Sequence, residues 1–98
     1  MRLVFDWDND KNAKNKRKHK ISFEAASRVF ADPLCNTKPD PEHSHGEERF
    51  RTLGDIGGGC YCVVIHSMQE VDDDFTLVRI ISARKLDKSE RKDYENDL

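Results

Sequence analysis

The chain has no run of about 18 apolar residues, the length a membrane-spanning helix needs. Its first ten residues, MRLVFDWDND, lack the apolar stretch and the small-residue cleavage site of a secretion signal. The expectation is a soluble, intracellular protein of the cytoplasm with no membrane contact. Cysteine is scarce: Cys35, Cys60 and Cys62 are odd in number and show no CxxC spacing, which argues against a disulfide framework and a zinc knuckle. All three prolines fall between residues 33 and 48, so nothing breaks helices or strands elsewhere. Low mean hydropathy, −0.86 with 37% charged residues, raises the question of disorder. The β-branched and aromatic residues nevertheless fall into periodic clusters, which predicts a folded domain with a highly charged surface. With 98 residues and 36% apolar content, one modest core and a single domain over residues 1–98 are expected.

Positive charge, in contrast, is concentrated. Lys11 to Lys20, KNAKNKRKHK, holds six of the seventeen Lys and Arg residues and no acid, which leaves 11 basic against 19 acidic residues elsewhere, a balance of −8. Such asymmetry points to charged partners.

The pattern predicts an α+β fold. Arg2 to Trp7 reads as a strand, and Asp8 as the N-cap of a helix reaching about His19, in which Ala13 is the only apolar residue. With so little to bury, that helix must be held by lysine stems and its surroundings. Ser22 reads as a second N-cap, followed by the stripe Phe23, Ala26 and Phe30, and Asp32-Pro33 ends the second helix. A short strand near Leu34 to Thr37 and an exposed loop come next. Three further strands, Arg49 to Leu53, Tyr61 to Ser67 and Phe75 to Ala83, complete a four-stranded antiparallel meander. Ser89 caps a last helix to about Asn96, with Tyr94 and Leu98 as its apolar pair. The order is β-α-α-β-β-β-β-α.

Helical spacing puts Lys11, Asn15, Lys18 and His19 on one face. Lysines attract a phosphate backbone, and an imidazole, which titrates near neutral pH, can exchange a proton with a reacting hydroxyl. A solvated basic helix with His19 favourable to the helix dipole is the competing reading. On the strands, Arg49, Arg79 and Arg84 need charged partners, either phosphate or local acids such as Glu47 and Glu48. Regular alternation puts Arg79 and Arg84 on opposite faces, so they share a site only if the strand ends or bulges between them. His43 and His45 flank one residue in an HxH pattern beside Glu42, but no third ligand has convincing spacing, so no metal and no cofactor is expected. Cys60 and Cys62 read as core, Trp7 as a core anchor that could also stack on a base, and Asp72 to Asp74 as a hairpin tip.

Taken together, FDWDNDK, KRKHKISFEAASRVFAD, EERFRTLG and RIISARKLDKSERKDYE resemble the BrnT family of toxins from type II toxin–antitoxin modules, over nearly the whole chain. The resemblance implies a RelE-like ribonuclease fold and metal-independent cleavage of RNA through attack of the ribose 2′-OH, halting translation. It also implies neutralisation by a BrnA-like antitoxin in a hetero-oligomer that reaches operator DNA only through the antitoxin. It makes His19, Glu48, Arg49, Arg79 and Arg84 the catalytic candidates and Lys11, Asn15 and Lys18 the RNA-binding ones. Asn9 departs from the family's usual proline and Lys20 from its glycine after the histidine, which puts the helix exit and the imidazole's direction at issue. A non-catalytic module, whose basic face holds an acidic protein or nucleic acid, is the alternative.

Overall fold

A computed structural model describes residues 2–96. Strand β1 is Arg2–Trp7, helix α1 Asn9–His19 and helix α2 Phe23–Ala26, which tightens into a 3-10 turn over Ser27–Ala31. Strands β2 (Asn36–Pro39), β3 (Phe50–Asp55), β4 (Tyr61–Glu70) and β5 (Phe75–Lys85) follow, and helix α3 is Lys88–Asn96. The five strands lie in the order β1-β5-β4-β3-β2. The predicted meander is present, and β1 adds to it as a parallel edge strand beside β5. Among the described residues no helix is long and apolar enough to cross a membrane.

Local chemistry explains most boundaries. Asp8 caps α1 as expected, its Oδ1 accepting from the N–H groups of Asp10 (2.8 Å) and Lys11 (3.1 Å), which also hold its carboxyl below the usual range. Ser22 caps α2 by accepting from Ala25 N–H at 3.1 Å. The second helix is shorter than predicted because Ser27 Oγ donates to the Glu24 carbonyl (2.7 Å), a side-chain bond that competes with the helical ladder. Strand β2 starts two residues later than predicted. Asp32 holds Leu34 and Cys35 in a turn through Leu34 N–H to Oδ1 (2.9 Å) and Cys35 N–H to its carbonyl (3.0 Å).

The cap of α3 is Asp87 rather than Ser89. Glu90 N–H bonds Asp87 Oδ1 (2.8 Å) while Asp87 N–H bonds Glu90 Oε1 (3.0 Å), a reciprocal capping box that Ser89 is two residues too late to make. The predicted partner of Tyr94, Leu98, lies outside the described residues.

The sheet is packed on both faces. Cys62, Val64, Val78, Ile80 and Ala83 pack beneath Ile21, Phe23, Ala26 and Val29 on one side, with Trp7 edge-on to Phe23 at 6.2 Å. Fully burying a side chain such as Phe23 stabilises the fold by about 1.5–3 kcal/mol. On the other side Leu53, Val63 and Ile65 take only Tyr94 of α3, whose hydroxyl donates to Asp32 Oδ2 at 2.7 Å. That helix covers one end of the face and leaves the rest of it open. Cys62 is core as predicted, and burial, with Cys60 beside it, pushes its thiol up to about 12.

Candidate active site

Helix α1, which has almost nothing apolar to bury, is held by two asparagines. Asn12 Oδ1 accepts from Phe23 N–H (2.8 Å) and its Nδ2 donates to Glu24 Oε1 (2.7 Å), tying α1 to the start of α2. Asn15, only 7% exposed, donates from Nδ2 to the carbonyls of Ile21 and Ala83 (both 2.9 Å) and accepts from Ala83 N–H at 3.1 Å. Strand β1 stops at Trp7, opposite Ile80, and the Asn15 amide takes up the β5 backbone groups beyond that point. It stands in for the missing strand residue, so every donor and acceptor it has in these bonds serves the fold. These bonds are those of a structural anchor, and Asn15 also borders the groove formed by its lysine neighbours.

All four residues of the predicted helix face, Lys11, Asn15, Lys18 and His19, line a groove of about 310 Å³ with Lys14, Ile81 and Ser82. His19 is half-buried and the lysines are exposed. At Lys20 the backbone adopts φ 63° and ψ 25°, with its N–H bonded to the Lys16 carbonyl at 2.9 Å. Lysine therefore makes the left-handed exit that glycine would make with less strain, and the chain turns directly into buried Ile21.

On the sheet the decisive feature is a bulge. The β4–β5 register runs Ile65 opposite Ser82 and then His66 opposite Ile80, leaving Ile81 as an extra residue on β5. Val78 and Ile80 therefore share a core with Ala83, five residues after Val78, and the regular alternation that would have put Ser82 on this face is broken. Arg79 and Arg84 accordingly lie on the same face, the one α3 partly covers. They are used differently. Both terminal nitrogens of Arg84 grip Glu90 (2.6 and 2.9 Å), pinning the start of α3 to β5. This contact raises the Arg84 pKa. Burial acts to raise Glu90, but the Arg84 and Asp87 bonds hold its carboxyl below the usual range.

Arg79 lies in the open part. It pairs across β4 with Ser67 and across β1 with Asp6, to whose carboxylate it is ion-paired. Arg51 is opposite Ile65 and Phe50 opposite His66, and Arg49 directly precedes β3. Strands β4, β5 and β1 thus present Ser67, Arg79 and Asp6 in a row, with Arg51 on β3 opposite Ile65 and Arg49 just before that strand. The Nε atoms of Arg49 and Arg51 are buried and have no hydrogen-bond partner among the described residues. An anion laid across this row meets donors held by the sheet.

Glu48 is exposed on the loop leading into β3, one residue from Arg49. His43 is bonded through Nδ1 to Asp40 Oδ2 (2.6 Å), and among the described residues no three His, Cys, Asp or Glu side chains gather as a metal-ligand group.

Comparison with known proteins identifies the family. The family model described as the ribonuclease toxin BrnT of type II toxin–antitoxin systems matches residues 7–90. The chain belongs to the BrnT family. Membership implies a protein antitoxin as its partner. A 1.1 Å crystal structure of the ribonuclease toxin BrnT from Brucella abortus matches with a TM-score of 0.58 at 20% identity, covering 90% of this chain and 100% of that one, a likeness of fold. No curated protein matches the sequence. The predicted α+β architecture is therefore that of a solved BrnT. The sequence reading did not name Arg51, Ser67 or Asp6 among its site candidates. Arg51 was visible as the alternation partner of Arg49, whereas Ser67 and Asp6 reach the row only through strand register, which no local signal encodes.

Proposed function

We propose that this BrnT-family protein is a cytoplasmic, metal-independent endoribonuclease that halts translation. It is held silent by a BrnA-like antitoxin and reaches operator DNA only within their complex. The observation that carries the reading is the arginine row of Arg49, Arg51 and Arg79 beside the lysine groove ending in His19. In cleavage, the ribose 2′-oxygen attacks the adjacent phosphorus while its proton passes to a base, His19 or Glu48. The P–O5′ bond breaks, the leaving oxygen takes a proton, and a 2′,3′-cyclic phosphate remains. Arg49, Arg51 and Arg79 neutralise the charge growing on the non-bridging oxygens, and Lys11 and Lys18 hold the flanking backbone. A site so rich in fixed cations supplies the charge a metal would otherwise bring, and the Asp6 carboxylate is already engaged by Arg79. Arg84, gripped by Glu90, orders the site by fixing α3.

The test is cleavage of RNA, with and without ribosomes, in excess chelator. Wild-type protein should cut and leave cyclic-phosphate ends, a 2′-O-methyl group at the cut site should stop it, and His19→Ala and Arg79→Ala should each lower the rate by about a hundredfold or more. Full toxicity of both variants would refute the site assignment. Intact RNA under all conditions would leave the binding-module alternative.

A further inference from the structure

We infer that the end of the sheet beside the Gly57-Gly58-Gly59 turn is a second phosphate subsite, which grips the RNA backbone several nucleotides from the cleaved bond. This rests on the reading of the protein as an RNA-cleaving enzyme. A cavity of about 320 Å³ opens there between the β3–β4 turn, the end of β5 and α3, bordered by Gly58, Gly59, Tyr61, Lys85 and Arg91.

Its chemistry is one of donors. The turn closes through Gly57 N–H to Asp55 Oδ1 (2.7 Å), Cys60 N–H to the Gly57 carbonyl (3.2 Å) and Ile56 N–H to the Cys60 carbonyl (2.9 Å). The N–H groups of Gly58 and Gly59 are left without an acceptor among the described residues. Both glycines have positive φ (63° and 81°), and a Cβ on either would meet nothing within 4 Å, so the backbone there is open to an approaching ligand. Lys85 is exposed and has no acid partner among the described residues. The Arg91 guanidinium is held over the Tyr61 ring at 4.7 Å. It gives Nε to Glu95 at 3.1 Å, which leaves both Nη groups for a ligand. Tyr61 already lies between Arg91 and Tyr94 (ring centroids 5.2 Å apart), so the cavity offers cations and N–H groups rather than a stacking face for a base. That set selects phosphate.

Placement makes the phosphate one of RNA. Lys85 follows Arg79 by six positions on β5, about 17–20 Å at the usual strand rise, and the Ile81–Ser82 stretch of the lysine groove lies between them. Arg84 faces the arginine row while Lys85 beside it, paired with core residue Cys62, turns to the other side, so a strand that leaves the groove and rounds the end of the sheet past α3 reaches this cavity.

The experiment titrates the full chain with a non-cleavable 2′-O-methyl RNA octanucleotide, and separately with inorganic phosphate, following backbone amides by NMR and affinity over a salt series. Because nothing is cleaved, the result is independent of whether the enzyme cuts RNA. Expected are shifts of the Gly58 and Gly59 amides with the octanucleotide. For Lys85→Ala with Arg91→Gln, which keeps the stem over Tyr61, affinity should fall about tenfold and the slope of log affinity against log salt should become shallower by about 0.7 for each lost phosphate contact. Dispersed spectra report that the variant is folded. Unmoved glycine amides, or unchanged affinity and slope in the folded variant, would overturn the subsite. So would shifts produced by inorganic phosphate alone, or weakened binding of the antitoxin in place of the octanucleotide.

Discussion

Asn15→Ala is the substitution that tests the architecture most directly, because it separates an anchor from a ligand contact. The change leaves three backbone groups unpaired: the N–H and C=O of Ala83, which is 1% exposed, and the C=O of Ile21, which is 4% exposed. A buried backbone group left without a partner costs about 1–3 kcal/mol. Water entering from the neighbouring groove relieves part of that, so a loss of about 3–5 kcal/mol is expected. Against a total stability of about 5–15 kcal/mol this is large. Urea unfolding followed by circular dichroism should show the midpoint falling by about 2 M, taking an m-value of about 2 kcal/mol/M, the middle of the usual range. Asn15→Asp should do no better, since a carboxylate cannot donate to the two carbonyls that the amide serves. Lys18→Ala, exposed one turn away, should stay within about 0.5 kcal/mol of wild type. If Asn15→Ala unfolds at the wild-type midpoint yet loses RNA affinity, the amide is a ligand contact and the anchor argument fails.

Lys20→Gly should raise stability by about 1 kcal/mol in the same assay, because it relieves the only positive φ held by a non-glycine among the described residues. Lys20→Ala, equally strained, should give no such gain. His66 provides a pH test. It is fully buried, its Nε2 shares a hydrogen bond with Thr52 Oγ1 (2.7 Å), and burial lowers its pKa from 6.5 despite its bond to the Ser67 carbonyl. The unfolded chain takes up this proton first as pH falls. Stability should therefore be complete above about pH 6.5 and decline below it by up to about 1.4 kcal/mol per pH unit until the folded pKa is reached. His66→Gln should remove that decline, and an unchanged acid limb would assign it to other groups.

What was legible in the sequence was whatever depends on near neighbours. Asp8 and Ser22 announce helix starts because a capping side chain bonds N–H groups two or three residues on. Arg51 and Leu53 share one side of β3 by simple alternation because that strand keeps its pleat. Ser89 and Asp87 both had capping chemistry, and only the glutamate three residues after Asp87 distinguishes them. What was not legible depends on partners distant in the chain. Ile81, Ser82 and Ala83 carry no sign that one of them is an extra residue, because a bulge is a relation between two strands. Asn15 looked like one polar residue among the lysines, and only its contact with Ala83, 68 positions away, reveals its role.

These two features act together. If β1 continued past Trp7, it would pair with the end of β5, and α1 would have to sit elsewhere. Because β1 stops and the Asn15 amide takes up that edge, the basic helix lies beside the bulge, with Lys11, Lys18 and His19 over Ile81 and Ser82. The bulge then swings the end of β5 by one residue, so that Ala83 fills the core and Arg84 turns to the face of Arg79. There Arg84 can reach Glu90 and hold α3 on the sheet. A strand without the bulge would send Arg84 toward the core side, leave α3 with Tyr94 as its main attachment, and uncover Leu53, Val63 and Ile65. The extra residue in β5 therefore sets two things at once: which side of the sheet carries the arginines, and how much of that side remains open.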